Sequence, residues 1–241
     1  MEVVTSLDNK RIKNLSKLLI KKYRDEEGKF LVEGEHLVEE AYKAGVLLEV
    51  VKCEDYIGEY DVPTTLVTYE VIKKLSNTQS PQRIIGVCKK LDEKEIGNKV
   101  LVLEDLQDPG NLGTIIRSSV AFNVDTIIVS NNTVDIYNDK VLRSSEGMLF
   151  HINIIKRDIN NILDELHNSG YTLYGTKVDG GTNIKEIKVN EKFAVIMGNE
   201  GAGVSNDTLD KCDKYLYIPM NNNCESLNVG VATSIILYEL F

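Results

Sequence analysis

Tryptophan is absent from these 241 residues, and the four cysteines, three histidines and four prolines are scattered singly. Cys53, Cys88, Cys212 and Cys224 include no C-x-x-C pair. That spacing argues against a zinc site and against a disulfide framework. His36, His151 and His167 lie far apart in the chain, so no metal centre is indicated. No apolar run reaches the length of a membrane span. The opening Met-Glu-Val-Val-Thr-Ser lacks the apolar core of a secretion signal, so the chain is read as cytoplasmic, with no membrane partner. An excess of cations is missing too. The formal net charge is −9, which alone points away from nucleic acid, because phosphate binding needs clustered positive charge.

What is present fits an ordinary soluble globular protein of one or two domains. Charge is unevenly spread. Lys10, Arg11, Lys13, Lys17, Lys21, Lys22 and Arg24 precede the acid Asp25 with no acid among them. Asp8 to Tyr23 reads as one amphipathic helix, with Ile12, Leu15, Leu19 and Tyr23 on one stripe. Lys10, Lys13, Lys17, Lys21 and Arg24 form a second stripe. It is either a solvated face or an RNA-phosphate surface, and the two readings weigh about evenly.

Further strands and helices follow to Lys90, making a small α/β unit, residues 1–92. Leu91 to Asn98 is charged, ends in Gly-Asn and reads as a linker. From 99 to 241 strands and helices alternate. Strands are expected at Lys99–Glu104, Thr126–Val129, Ile152–Ile155, Tyr171–Val178, Phe193–Met197 and Tyr215–Met220. Apolar strands between helices mean a parallel sheet covered on both faces, a Rossmann-like domain.

Three stretches of this second domain share a strand, a polar loop and a helix. The first runs Val100 to Arg117, the second Phe193 to Ser205, the third Tyr215 to Phe241. Ligands of open parallel sheets bind where loops leave the carboxyl ends of strands, so the three loops are candidates for one site. In the first, Asn111 is expected to cap the helix, and Arg117 can reach back past Gly113 toward it. In the second, Gly198-Asn-Glu-Gly-Ala-Gly203 lets backbone approach a ligand, and Glu200 is its only acid. It is neither G-x-G-x-x-G nor a Walker loop. In the third, Ser226 is expected as the helix cap, with Asn228 in the first turn. The bland readings are a surface arginine, a turn glutamate and ordinary capping residues. The C-terminal helix has no continuous polar face and is expected to be buried on most sides.

Asn111 to Arg117, Gly198 to Gly203, and Ile218-Pro-Met with Glu225-Ser-Leu-Asn228, in this order, closely resemble the three signature motifs of SpoU (TrmH-like) RNA ribose 2′-O-methyltransferases, of the SPOUT superfamily. Glu33-Gly-Glu-His36 and Ser80 to Val87 resemble the small L30e-like RNA-binding domain that many members carry, although Arg83 stands where the family usually has Gly. The resemblance implies S-adenosylmethionine as cofactor and a deep trefoil knot in the second domain. It implies methylation of a ribose hydroxyl, most of all in 23S ribosomal RNA. A transfer RNA enzyme of the same family, and a non-catalytic RNA-binding relic, remain as alternatives. Arg117, Asn111, Glu200, Ser226 and Asn228 would be catalytic. Thr176, Met197, Gly198, Asn199, Gly203, Ile218, Met220, Ser226 and Leu227 would line the cofactor. The family is described as using the arginine matching Arg117 as base. Arginine is a poor base, so a cationic Arg117 with the proton going to Glu200 or water is the alternative. Asn221–Asn223 in place of a glycine-bearing loop, and Gly230 in place of Ser, are departures. The resemblance also implies a homodimer through the C-terminal helix.

Overall fold

The computed structural model describes residues 2–178 and 180–241. The chain divides into two compact units. One holds the residues up to Asp92 together with Tyr137–Phe150, and the other holds Glu93–Ile136 and His151–Phe241.

The first unit begins with α1 (Lys10–Lys17) and α2 (Lys21–Glu27), and then β1 (Lys29–Glu33), α3 (Glu35–Lys43), β2 (Leu47–Cys53), β3 (Thr64–Val67), α4 (Tyr69–Lys74) and β4 (Ile84–Lys89). The single helix expected from Asp8 to Tyr23 is broken. Asn9 caps α1 by accepting from Arg11 and Ile12 N–H groups, and the chain turns out at Ile20, which is extended. A β-branched residue held in the β region cannot continue a helix. The sheet runs β1-β4-β2-β3, with only β2 and β3 parallel. Ile12, Val51, Val67, Val71, Ile72, Leu75 and Ile85 form its core.

The second unit carries β5 (Lys99–Leu103), α5 (Pro109–Ala121) and β6 (Thr126–Val129). Next in the chain comes α6 (Asp139–Ser144), which belongs to the first unit. The sequence reading leaves 137–150 inside the second domain; its contacts lie elsewhere. Phe30 packs on Tyr137 at 4.5 Å and on Phe150 at 6.3 Å between ring centroids. Aromatic burial of this kind overrides position along the chain.

The second unit continues with β7 (Asn153–Lys156), α7 (Ile159–Asn168), β8 (Thr172–Thr176), β9 (Thr182–Asn183), β10 (Phe193–Met197), α8 (Asn206–Leu209), β11 (Lys214–Tyr217) and α9 (Val229–Leu240). The sequence reading misses the two-residue β9. The order is β7-β6-β5-β10-β8-β11-β9, and every pairing is parallel. All of β10 and β6 is buried, as a parallel sheet covered on both faces requires. Val100, Val102, Leu173, Ala194 and Ile196 meet α7 through Ile159, Ile162, Leu163 and Leu166. Helices α5 and α9 pack together, with Ser118 and Ser234 hydroxyls 2.7 Å apart. Strands β8, β10 and β11 end side by side, and this arrangement creates the site.

Candidate functional site

A cleft of about 420 Å³ opens at those strand ends. Its walls come from Thr176–Val178 after β8, Met197–Val204 after β10, Leu216–Ile218 and Met220 at the end of β11, and the approach to α9. All nine residues expected to line a cofactor, Thr176, Met197, Gly198, Asn199, Gly203, Ile218, Met220, Ser226 and Leu227, lie on it. The Thr176 hydroxyl donates to Ile196 O at 2.8 Å, so it faces the sheet rather than being free for a ligand. Lys177 is the one cation among the described lining residues, and its ammonium sits 3.8 Å from the Tyr215 ring centroid.

The loop after β10 is closed upon itself. Asn199 and Gly203 exchange two backbone hydrogen bonds of 3.0 Å. The Asn199 carboxamide oxygen accepts from Gly201 and Ala202 N–H groups, while its nitrogen donates to Asp105 O at 2.8 Å. A Cβ at Gly198 would lie 2.0 Å from the Gly203 carbonyl carbon, which is backbone and cannot move aside. Glycine there is a packing requirement, and it leaves bare backbone on the cleft wall.

At the cleft edge a polar chain joins all three motif loops. Asn228 Nδ2 donates to Asn111 Oδ1 at 2.9 Å, and Asn111 Nδ2 donates to Glu200 Oε1 at 3.2 Å. Glu200 also accepts from the N–H groups of Gln107 and Asp108. Burial raises the Glu200 pKa, but the bonds from Asp108, its own N–H, Gln107 and Asn111 outweigh this and hold the carboxyl below its usual range. Glu200 is therefore ionised and a weak base.

Two capping expectations are corrected. Asp108, not Asn111, caps α5, accepting from Asn111 N–H at 2.9 Å. Pro109 occupies the first helical turn, which assigns the cap to the residue before it. This frees the Asn111 side chain for Glu200. Asn228, not Ser226, caps α9, with its Oδ1 accepting from Gly230 and Val231 N–H groups. Ser226 lies on the exposed approach to the helix and contributes to the cleft wall.

Arg117 is exposed, on α5, and makes no hydrogen bond or ion pair among the described residues. The structure thus brings Asn111, Glu200 and Asn228 together and leaves Arg117 outside that chain of bonds.

The basic stripe is also altered. Arg24 is only 6% exposed and donates to the carbonyls of Leu18 and Leu19 at 2.9 Å, closing the end of α1. It is not a phosphate-facing cation, which corrects the expectation. Lys13 pairs with Asp8 at 2.8 Å and Lys21 with Asp25 at 2.5 Å. Although burial opposes it, hydrogen bonds from Lys21 and Lys90 pull the Asp25 carboxyl down to about 2. Lys10 and Lys17 remain exposed, with no acidic partner among the described residues.

Sequence reading overlooked Asp105. It adopts φ 55°, its carboxylate accepts from Ser130 and Asn132, and its carbonyl accepts from Asn199 and Gln107 side chains. It also overlooked Glu104, whose carboxylate accepts from Ser205 and Thr208 and pins the start of α8. The available signal was an acidic pair closing an apolar strand. Among the described residues no group of three metal-ligating side chains is gathered.

Residues 98–238 match the model of the SpoU rRNA Methylase family, and residues 9–86 match that of the MRM3-like substrate binding domain. The 23S rRNA (guanosine(2553)-2′-O)-methyltransferase RlmP of Bacillus subtilis is 40% identical over 100% of this chain and 99% of its own. The solved structure of an RNA 2′-O ribose methyltransferase superposes with TM-score 0.85 at 29% identity, over 99% of this chain and 97% of that one. An AdoMet-bound rRNA methyltransferase from Sinorhizobium meliloti superposes with TM-score 0.87 at 26% identity, over 99% and 96%.

Proposed function

This chain belongs to the SpoU rRNA methylase family and is an S-adenosylmethionine-dependent RNA ribose 2′-O-methyltransferase, and we propose that 23S ribosomal RNA is its substrate. The observation that carries the reading is Glu200, which lines the cleft and also anchors the chain Asn111–Asn228. Cofactor and hydroxyl then meet at one fixed carboxylate.

The cleft fits the cofactor by its own chemistry. Met197, Leu216, Ile218, Met220 and Leu227 offer apolar walls for a nucleoside, and Gly198 offers open backbone for polar contacts. A single cation, already over a tyrosine ring, suits a ligand without phosphates. When bound, S-adenosylmethionine supplies an activated methyl group. The chain's own residues position the acceptor for in-line attack, where orientation supplies much of the rate. Glu200 fixes the Asn111 amide, Asn228 fixes its other end, and each carboxamide keeps a second N–H free for ribose or phosphate oxygen. Arg117, unpaired and cationic, holds an RNA phosphate and stabilises the developing alkoxide. The ribose proton passes to the ionised Glu200 or to water.

Several finer features belong to the same reading. The trefoil knot is what membership of the family implies, and a cleft formed from the segments after β8, β10 and β11 agrees with it. The first unit as an L30e-like RNA-binding domain is supported by the substrate-binding match at 9–86 and by exposed Lys10 and Lys17. A homodimer through α9 is supported by the exposed apolar stripe Val231 (49%), Ile235 (37%) and Tyr238 (74%), spaced as one helix face. A ribosomal substrate assigns the protein to the cytoplasm. Mapping 2′-O-methyl groups in 23S rRNA from a deletion strain tests the proposal. One ribose methyl should vanish and return with the gene; an unchanged map would refute a 23S substrate.

A further inference from the structure

The first unit contains a second open cleft, of about 440 Å³, lined by Val3, Cys53, Glu54, Asp55, Val67, Thr68, Tyr69 and Arg83. Two features set it apart from a mere surface groove. Arg83 is held flat. Its guanidinium pairs with Asp55 and lies 5.6 Å from the Tyr69 ring centroid, whose hydroxyl donates to Pro81 O at 3.0 Å. The fold does not need this side chain. The pair is 54% and 62% exposed, and such surface pairs contribute little stability, while it is the Arg83 carbonyl that ties to Cys53 N–H.

The cleft is bordered by the loop 76–83, whose sequence Ser-Asn-Thr-Gln-Ser-Pro-Gln-Arg has no acid. The loop is preorganised by Glu33, which accepts from the Ser76 and Thr78 hydroxyls and from Gln82 N–H. Gly34 completes it. At φ 98° it leaves room for the Gln82 carboxamide, 2.8 Å from where a Cβ would stand.

We propose that this cleft holds one unpaired RNA base, stacked on the Arg83 guanidinium and read by the Glu54 carboxylate. The inference rests on RNA being the substrate. A guanidinium plane stacks on bases, and single-stranded nucleotides are the ones whose faces and edges are open to a protein. Glu54 is exposed, has no partner among the described residues, and can only accept. Glu54 and Asp55 repel a phosphate, so the base rather than the backbone enters. The two carboxylate oxygens accept together from guanine N1–H and N2–H, whereas adenine, cytosine and uracil (through N3–H) each offer a single donor position on that edge, so guanine is preferred.

The test uses the full-length protein and stem–loop RNAs that differ only in the loop base, with binding read by fluorescence anisotropy. The guanine loop should bind more tightly than the adenine, cytosine and uracil loops. Arg83→Ala should lose about tenfold for these loops, within the range for one base stack. Arg83→Lys keeps the charge but not the plane and should behave as the alanine variant does; full rescue by lysine would overturn the proposal. Glu54→Gln, which has one acceptor oxygen in place of two, should erase the guanine preference; a preference kept intact would also overturn it. All three variants should melt as the parent does and bind S-adenosylmethionine unchanged. If the parent methylates no RNA yet shows the base preference, the activity reading fails and the cleft reading stands.

Discussion

At the residue scale, Arg117 and Glu200 separate the roles of the site. Arg117 stands apart from the cleft lining and from the Asn111–Glu200–Asn228 chain. Arg117→Ala should lower methyl transfer by roughly 10²- to 10³-fold, the scale of one lost transition-state donor. Calorimetric affinity for S-adenosylmethionine should not change, and a parallel loss of binding would contradict the assigned role. Glu200 carries a pH prediction. Burial raises its pKa, but the backbone and Asn111 bonds win and hold it low. Its contribution to loop order is thus fully present above the unfolded value of about 4.3 and is lost as pH falls through the folded value. Transfer between about pH 6 and 8 should show no limb that disappears in Glu200→Gln. A limb in that window removed by Gln would make Glu200 the proton acceptor. The bonding of Asn111 was partly legible: Asp-Pro marks a helix start, and reading it strictly gives Asp108 as the cap. The Asn228–Asn111 bond was not legible, because it joins loops 117 residues apart.

At the element scale, the loop 198–203 is set by the clash that any Cβ at Gly198 would meet. Gly198→Ala should cost about 1–3 kcal/mol as overpacking, and cofactor affinity should fall with it. Unchanged binding would show that the loop can shift. Helices α1 and α2 make a separate prediction. Lys10→Glu and Lys17→Glu should each shallow the salt dependence of RNA binding by about 0.7 to 0.9. Arg24→Ala should instead lower the melting temperature, because Arg24 closes α1. If the lysine variants leave the salt slope unchanged, this face is only solvated. Strand positions were readable because parallel strands are continuously apolar; β6 and β10 match the sequence reading residue for residue. The break at Ile20 was not readable, since the hydrophobic stripe continues across it and only tertiary packing decides.

At the scale of the whole molecule, the interleaving of the chain was the least legible feature. The segment 137–150 belongs to the first unit through contacts of Phe30 with Tyr137 and Phe150, and nothing local announces them. The apolar character of α9 was legible, but its division was not. Ile236 is 2% exposed and lines the cleft, whereas Ile235 and Tyr238 face outward. Ile235→Asp should therefore shift a dimer toward the 27.0 kDa monomer in sedimentation equilibrium, while Ile236→Asp should damage cofactor binding. A parent chain that sediments as a monomer at micromolar concentration would rule the dimer out. The central claim is the position of the transferred methyl. Purified protein, unmodified 23S rRNA transcript and S-adenosylmethionine with a labelled methyl group would be incubated together, and the RNA then hydrolysed in alkali. Label should appear in one alkali-resistant dinucleotide, because a 2′-O-methyl blocks cleavage of its own phosphodiester. Label recovered in mononucleotides, with the methyl on a base, would contradict it.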